Sequence, residues 1–182
     1  MSNIWNHFRT ITHHKMLVMK HCFRLGMYKQ GLLHDNSKYS PAEFIPGCIY
    51  YAPGISPHNI SRKKIGYSAA WLHHKGRNKH HFEYWIDYST KDGDTKLAGM
   101  KMPMKYVVEM FVDRMCACKN YLGKEYQDDS ALNYYLKSKK HYVMHKDTTA
   151  LLEELLYMNA QQGEEKTFAY IKTRVLTGKR KY

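Results

Sequence analysis

An imidazole and a carboxylate stand side by side at His34 and Asp35, within the segment 31–38 (GLLHDNSK). Both are good ligands for a divalent transition metal, and the cation of Lys38, three residues further on, suits a phosphate or another anion. A His-Asp dipeptide often arises by chance. Its interpretation therefore depends on whether further histidines and carboxylates are spaced to complete a coordination shell.

Three histidines recur at every seventh position before this pair: His7, His14 and His21. They share a helical stripe with apolar residues at the same spacing, namely Ile4, Ile11, Val18 and Leu25. A stripe of this kind predicts a long amphipathic helix over about residues 4–29. His14 is expected to point inward as a metal ligand, whereas its neighbour His13 lies nearer solvent.

Two histidine doublets follow in residues 71–85 (WLHHKGRNKHHFEYW). If one helix runs through Gly76, only one member of each doublet points inward. His74 and His81 share the stripe of the two tryptophans and are favoured as ligands, while His73 and His80 remain the alternative pair. A basic aromatic patch that binds anions is the competing interpretation of this segment.

Asp113 lies in the middle of a helix predicted from Pro103 to about Tyr121 and adds a late carboxylate to the set. The candidate ligands in chain order are His14, His34, Asp35, His74, His81 and Asp113. This order resembles the HD-domain superfamily, in which an adjacent His-Asp pair on an all-helical core is preceded by one His and followed by a late Asp. Lys38 matches as well, because many members have a Lys three residues after the pair. The sequence is also similar to an uncharacterised group of short bacterial and phage proteins.

The resemblance implies a metal-dependent phosphohydrolase acting on a nucleotide or another phosphate ester. One or two divalent ions (Mn, Fe, Zn, Ni or Co) would activate a water molecule for attack on phosphorus, with His74 and His81 in the place of the second ion's ligands. Asp35 and Lys38 are the expected catalytic residues, and Asp35 is suited to bridge two ions. Basic residues are expected to bind the substrate phosphates: Lys38, Lys75, Arg77 and Lys79.

Two other functions are compatible with the same residues. One branch of the HD superfamily uses this ligand order for oxidative cleavage, so a di-iron or di-manganese oxygenase or oxidase is an alternative. The other is a basic nucleic-acid-binding module in which the metal is structural, although no recognised DNA-binding motif is present. The identity of the bound metal separates the first two functions.

Helix signals dominate the elements that must position these residues. We expect a single all-α domain over residues 1–182, an HD-like helical bundle of about six or seven helices, with the metal-site core in about 10–120 and C-terminal helices in about 128–178. A capping box from Ser40 to Glu43 predicts the start of a short helix. Residues 45–67 are rich in Pro and Gly and are interpreted as a long irregular loop, and a turn is expected at residues 92–94.

The composition restricts the class of protein and its partners. A net charge of +13 with 43% hydrophobic residues indicates a folded basic protein whose partner is a phosphorylated small molecule such as a nucleotide, or a nucleic acid. The mean hydropathy of −0.65 and the lack of a long apolar run argue against a membrane span. Without a secretory signal pattern we expect a cytoplasmic location. Four cysteines fit neither a zinc pair nor a disulfide framework, and no feature specifies an oligomeric state.

Overall fold

A computed structural model describes residues 3–91, 93 and 95–182 of the chain. This part contains eight α-helices: α1 (Asn3–Arg24), α2 (Tyr28–Leu33), α3 (Pro41–Ile49), α4 (Pro57–Ile65), α5 (Ala69–Lys75), α6 (Met104–Leu122), α7 (Ser130–Ser138) and α8 (Lys146–Tyr170). A short antiparallel hairpin pairs β1 (Ile86–Ser89) with β2 (Lys96–Gly99). The expected all-α single domain is confirmed, with slightly more helices than predicted and one hairpin that the sequence did not suggest.

Helix α6 is the centre of the hydrophobic core. Its side chains at Val107, Val108 and Phe111 are fully buried, because α6 packs against α1, α7 and α8. From α1 the core receives Val18 and Cys22, at the heptad spacing expected for an inward stripe. Ile4 is an exception, since it is 60% exposed near the start of α1. Because α1 and α6 are held rigidly together, polar residues on their facing sides have defined positions.

The interpretation of residues 45–67 as one irregular loop is wrong. Helix α3 continues through Pro46 to Ile49, and α4 occupies Pro57–Ile65, so the irregular backbone within this range is limited to residues 50–56 and 66–67. Pro57 stands in the first turn of α4, and Gly66 ends it with a φ of 83°. Pro57 and Gly66 therefore mark the two ends of a helix inside the segment that was expected to be a loop.

Other local predictions are confirmed with changes. Pro41 opens α3 as expected, but the Ser40 side chain makes no capping hydrogen bond. Two of the expected C-terminal helices form one kinked element, α8, because Gly163 has a non-helical φ of 81° and bends the axis. Residues 92 and 94 of the predicted turn lie outside the described residues. No described helix combines the length and the apolar character that crossing a membrane requires.

Candidate metal centre

Four elements deliver the candidate ligands to one buried place. Helix α1 carries His14, the turn between α2 and α3 carries the His34-Asp35 pair, and α6 carries Asp113. Of the two histidine doublets, His73-His74 lies at the end of α5 and His80-His81 in the turn that follows it. Within the described residues, three groups of side chains are close enough to hold a metal ion: His14, His34, Asp35, Asp113; Asp35, His74, His80, His81; and His34, His80, Glu109.

The backbone at Asp35 has an unusual conformation that places its carboxylate. Its φ of 53° and ψ of 23° lie in the left-handed region, and among the described residues other than glycine no second one has a positive φ. This region is uncommon for residues other than glycine, although Asp tolerates it better than most. The conformation reverses the chain after α2, so that His34 and Asp35 are both buried although they are neighbours.

The first cluster surrounds one oxygen of Asp35. His34 Nε2 lies 3.3 Å from Asp35 Oδ2, and His14 Nε2 lies 3.6 Å from the same oxygen. Asp113 Oδ1 completes the group at 2.9 Å from His14 Nε2 and 3.4 Å from His34 Nε2. All four residues were predicted as ligands from the sequence, and the fold brings them together.

The second cluster surrounds the other oxygen of Asp35. Asp35 Oδ1 lies 3.3 Å from His74 Nε2 and 3.4 Å from His80 Nε2. His81 Nε2 is 2.8 Å from His74 Nε2, which brings a third imidazole into the group. A single carboxylate therefore stands between two sets of side chains, with one oxygen directed to each.

The spacing of these atoms fits a metal ion at each cluster. Ligand atoms bonded to one ion at about 2.0–2.2 Å lie about 3 Å apart, close to the separations seen here. Asp35 Oδ1 and the Nε2 atoms of His14, His34 and His80 are buried and have no hydrogen-bond partner. Buried polar atoms without partners are costly, so their convergence is explained best by a ligand that they share.

Two further carboxylates, which the sequence analysis missed, orient the imidazoles. Glu109 Oε1 accepts hydrogen bonds from Nδ1 of His34 at 3.0 Å and of His80 at 3.2 Å. Glu43 accepts from His74 Nδ1 at 2.7 Å. An imidazole that donates from Nδ1 keeps the lone pair of Nε2 free, which is the tautomer that a metal ligand needs.

Each missed carboxylate left a weak signal in the sequence. Glu109 lies one turn before Asp113, on the same face of α6. Glu43 was assigned to a capping box, yet it is buried and binds both members of the first doublet, with His73 Nδ1 also at 2.7 Å. His73 is therefore an outer partner of Glu43, and His74 is the member that faces Asp35.

The prediction that only one histidine of the second doublet points inward is wrong. Helix α5 ends at Lys75, and the chain turns between Gly76 and His81 instead of continuing as a helix. Because the helical spacing no longer applies, His80 and His81 both reach the cluster. The sequence favours His81 as a ligand for its place on a helical stripe, whereas its position in the cluster results from the turn.

The electrostatic surroundings keep the Asp35 carboxylate and the Lys38 ammonium charged. Burial opposes ionisation of Asp35, but the charges of His34 and Lys38 outweigh it and hold the pKa of this carboxyl well below its usual range. Lys38 Nζ lies 2.6 Å from Asp35 Oδ2, and although burial opposes the charged form, this carboxylate raises the pKa of the Lys38 ammonium. Burial, with a smaller contribution from the neighbouring His80, lowers the pKa of His81, so its ring is neutral near pH 7.

The four basic residues predicted to bind substrate occupy different surroundings. Lys38 contacts Asp35 directly. Arg77 is exposed and donates to the carbonyl of His73, and Lys79 is exposed over the ring of Tyr84. Lys75 is half-buried at the end of α5. Binding of substrate by all four residues stays a prediction.

Comparisons with known proteins identify a family. No curated protein and no solved structure matches the chain. Residues 3–158 match the profile of a family described as a family of unknown function (DUF5662), and this match includes every residue of the two clusters. Since the match covers well over half of the sequence, the chain belongs to this family of unknown function, DUF5662.

Proposed function

We propose that the centre binds two divalent transition-metal ions that share Asp35, and that the protein is a metal-dependent phosphohydrolase. The observation that carries the proposal is the division of the Asp35 carboxylate, with Oδ2 directed to His14 and His34 and Oδ1 to His74 and His80. A bridging carboxylate of this kind is a common way to hold two ions next to each other. The ligand order that resembles the HD superfamily agrees with it.

The donor set indicates which metals the centre would take. Neutral imidazoles mixed with carboxylates favour Mn, Fe, Co, Ni or Zn over a site made only of oxygen ligands, as Mg prefers. Four carboxylates gather around the imidazoles: Asp35, Asp113, Glu43 and Glu109. Two dications would offset them, and the ammonium of Lys38 would leave a net positive charge that attracts an anion.

The residues of the centre have separate roles in hydrolysis of a phosphate ester. Bound ions would lower the pKa of water toward neutrality and so supply a nucleophile. Lys38 has its ammonium 2.6 Å from Asp35 and would bind a phosphoryl oxygen and stabilise the charge that develops on it. Lys75, Arg77 and Lys79 lie on the segment between the two histidine doublets and would bind more distant parts of the substrate. Glu43 and Glu109 would hold the imidazoles in place.

The experiment is a metal analysis combined with a substrate screen. Purified protein is expected to contain a transition metal and, with Mn, Co, Ni or Zn, to hydrolyse p-nitrophenyl phosphate, nucleotides or cyclic nucleotides. His34→Ala removes a ligand of the first cluster, so bound metal and activity should fall together. His141→Ala is the matched control, because this histidine is exposed and distant from the centre in sequence. Protein without metal, and unchanged by His34→Ala, would show that the centre does not bind metal.

The second cluster also supports an alternative function. Its three imidazoles, from His74, His80 and His81, suit Fe or Mn in redox chemistry, so we keep a di-iron or di-manganese oxygenase or oxidase as the second proposal. Failure of the phosphatase screen, together with oxygen consumption by the iron-loaded protein, would favour it. Nucleic-acid binding that weakens steeply with salt and is indifferent to metal removal would instead favour a binding module.

A further inference from the structure

We propose that a cleft beside the metal centre is a subsite for a second anionic group of the substrate. This inference rests on the proposed phosphohydrolase function and specifies its substrate class, a small phosphorylated molecule with an additional phosphate or carboxylate. The cleft has a volume of about 340 Å³ and is lined by Asn6, Arg9, Thr10, His13, Tyr51 and Asn120. That volume lies in the range of sites for small molecules.

The exposure of the site residues shows on which side the metal centre opens. The side chains of His34 and Asp35 are 0% and 2% exposed, whereas Asp113 is 16% and Lys38 is 23% exposed. A substrate therefore reaches the centre past Asp113 and Lys38. Asn120 follows Asp113 by seven residues on α6, which places it on the same face roughly 10 Å further along the axis.

The same alignment exists on α1. His13 is adjacent to the ligand His14, and Arg9 precedes His14 by five residues, roughly 7–8 Å along the axis. His13 Nδ1 lies 2.6 Å from Asn120 Oδ1, so the two helices are joined at the floor of the cleft. The cleft thus lies roughly 7–10 Å from the metal centre along the two helix axes, a distance that suits a small molecule with two separated anions.

The lining of the cleft favours an anion. Arg9 is exposed and has no ion-pair partner among the described carboxylates, and none of the six lining residues is acidic. Arginine binds phosphate and carboxylate groups with paired hydrogen bonds. The amides of Asn6 and Asn120 add hydrogen-bonding groups, and Tyr51 adds an aromatic wall.

A buried histidine lies next to the aromatic wall of the cleft. His7 is 6% exposed, its ring lies 6.2 Å from that of Tyr51, and its Nδ1 atom has no hydrogen-bond partner. Burial, with a smaller contribution from the charge of Lys38, lowers the pKa of His7 to about 4, so the ring is neutral near pH 7. This neutral ring does not line the cleft, but it adds no negative charge beside the anion subsite.

The test compares substrates with one and with two anionic groups. The probe with one anionic group is p-nitrophenyl phosphate. The probes with two are a hexose 1,6-bisphosphate, a nucleoside 3′,5′-bisphosphate and 3-phosphoglycerate. In 3-phosphoglycerate the second anion is a carboxylate, so it shows whether the subsite prefers a carboxylate or a phosphate. Arg9→Gln is expected to raise KM for the preferred two-anion substrate by about tenfold, which is the loss of one charge-assisted contact. It should leave kcat, bound metal and the KM for p-nitrophenyl phosphate within about twofold. Arg174→Gln, at an exposed arginine of the C-terminal segment, should change none of these values.

The outcomes separate this inference from the proposed function. Equal effects of Arg9→Gln on substrates with one and with two anions, or no effect on either, would overturn the subsite. If the metal-loaded protein hydrolyses no phosphate ester, the proposed function fails, and calorimetric titration of the bisphosphates still tests the cleft. Binding that is about tenfold weaker in Arg9→Gln than in Arg174→Gln would then support the anion subsite, and equal binding would overturn it.

Discussion

At the scale of single residues, Asp35 combines a rare backbone conformation with a carboxylate divided between two clusters. Left-handed backbone in a residue other than glycine has a cost of about 1–3 kcal/mol and persists where the surrounding structure requires it. Here the requirement is the burial of His34 and Asp35 together, since an extended or helical backbone would direct neighbouring side chains apart. The strain at Asp35 is therefore consistent with a functional role for the pair.

The two outer carboxylates allow a prediction that distinguishes the two ions. Glu109 binds His34 of the first cluster and His80 of the second, whereas Glu43 binds His74, in the second cluster alone. Loss of an outer carboxylate typically weakens metal binding about 10–100-fold. Glu109→Gln is therefore expected to weaken binding of both ions, and Glu43→Gln of one.

Calorimetric titration of the metal-free protein with Zn or Mn measures both steps. The paired variants control for each other, because each replaces a buried glutamate by its uncharged equivalent. Equal weakening of both binding steps by Glu43→Gln would contradict the assignment of Glu43 to the second cluster.

Site residues could be predicted from the sequence where they belong to the His-Asp pair or lie on a regular helical stripe. His14, His34, Asp35 and Asp113 form the first cluster as predicted, since each lies on a regular helix or in the His-Asp pair. His80 and Glu109 could not be selected in the same way. The contribution of His80 depends on a turn after α5. The contribution of Glu109 depends on which histidines face α6 from elsewhere in the chain.

At the scale of elements, the contact between α1 and α3 depends on a missing side chain. A Cβ atom at Gly47 of α3 would lie 2.1 Å from His7 Nε2, far closer than atoms can approach. Gly47→Ala is therefore expected to lower the free energy of unfolding by about 1–3 kcal/mol, because an overpacked side chain forces its neighbours apart. Bound metal should be retained, since His7 belongs to neither cluster.

The matched control is Gly76→Ala. A Cβ atom at Gly76 would meet nothing closer than 3.5 Å, and its backbone is already helical. This substitution is expected to be neutral or slightly stabilising, because alanine favours helical conformation. Chemical unfolding of the metal-free proteins measures both, and a similar loss of stability in the two variants would contradict the steric explanation.

Helical periodicity predicted the long elements better than the short ones. The heptad spacing of apolar residues identified α1, and a continuous apolar stripe identified α6, because one side of each helix faces the core. Helix α4 is mostly polar and exposed, so only Pro57 and Gly66 mark it. The hairpin of β1 and β2 is four residues long in each strand and half-exposed, which leaves too short a pattern to recognise.

At the scale of the whole molecule, one half-buried carboxylate joins three helices. Glu164 of α8 pairs with Arg24 of α1 and Lys119 of α6, and lies 3.4 Å from His21 Nε2. Burial raises the pKa of Glu164, but hydrogen bonds from His21, Lys119 and Arg24 outweigh it and lower the pKa strongly. Because the folded state keeps this group ionised, its contribution to stability is present above its ordinary pKa of 4.5 and is lost as the pH falls below that value.

Glu164→Gln should therefore destabilise the metal-free protein near pH 7, and the difference from the unmodified protein should shrink as the pH falls from about 5 to about 3. Urea unfolding at several pH values measures it. Glu165→Gln is the control, because that side chain is 86% exposed and makes one ion pair among the described residues. A difference that stays constant over this pH range would contradict the proposed pairing.

Metal binding should stabilise the whole fold, because the ligands come from α1, the α2–α3 turn, the end of α5 and α6, and unfolding would disperse them. An ion that binds only the folded state adds about 2.7 kcal/mol when its free concentration is 100 times the Kd. For a chain of this length each kcal/mol corresponds to about 2–4 °C in Tm. Removal of two ions by a chelator is thus expected to lower Tm by about 10 °C or more.

The same chelator should shift Tm much less in Asp35→Asn, where Asn tolerates the left-handed backbone but the shared charge is lost. An equal shift in both proteins would mean that the stabilising ion binds elsewhere.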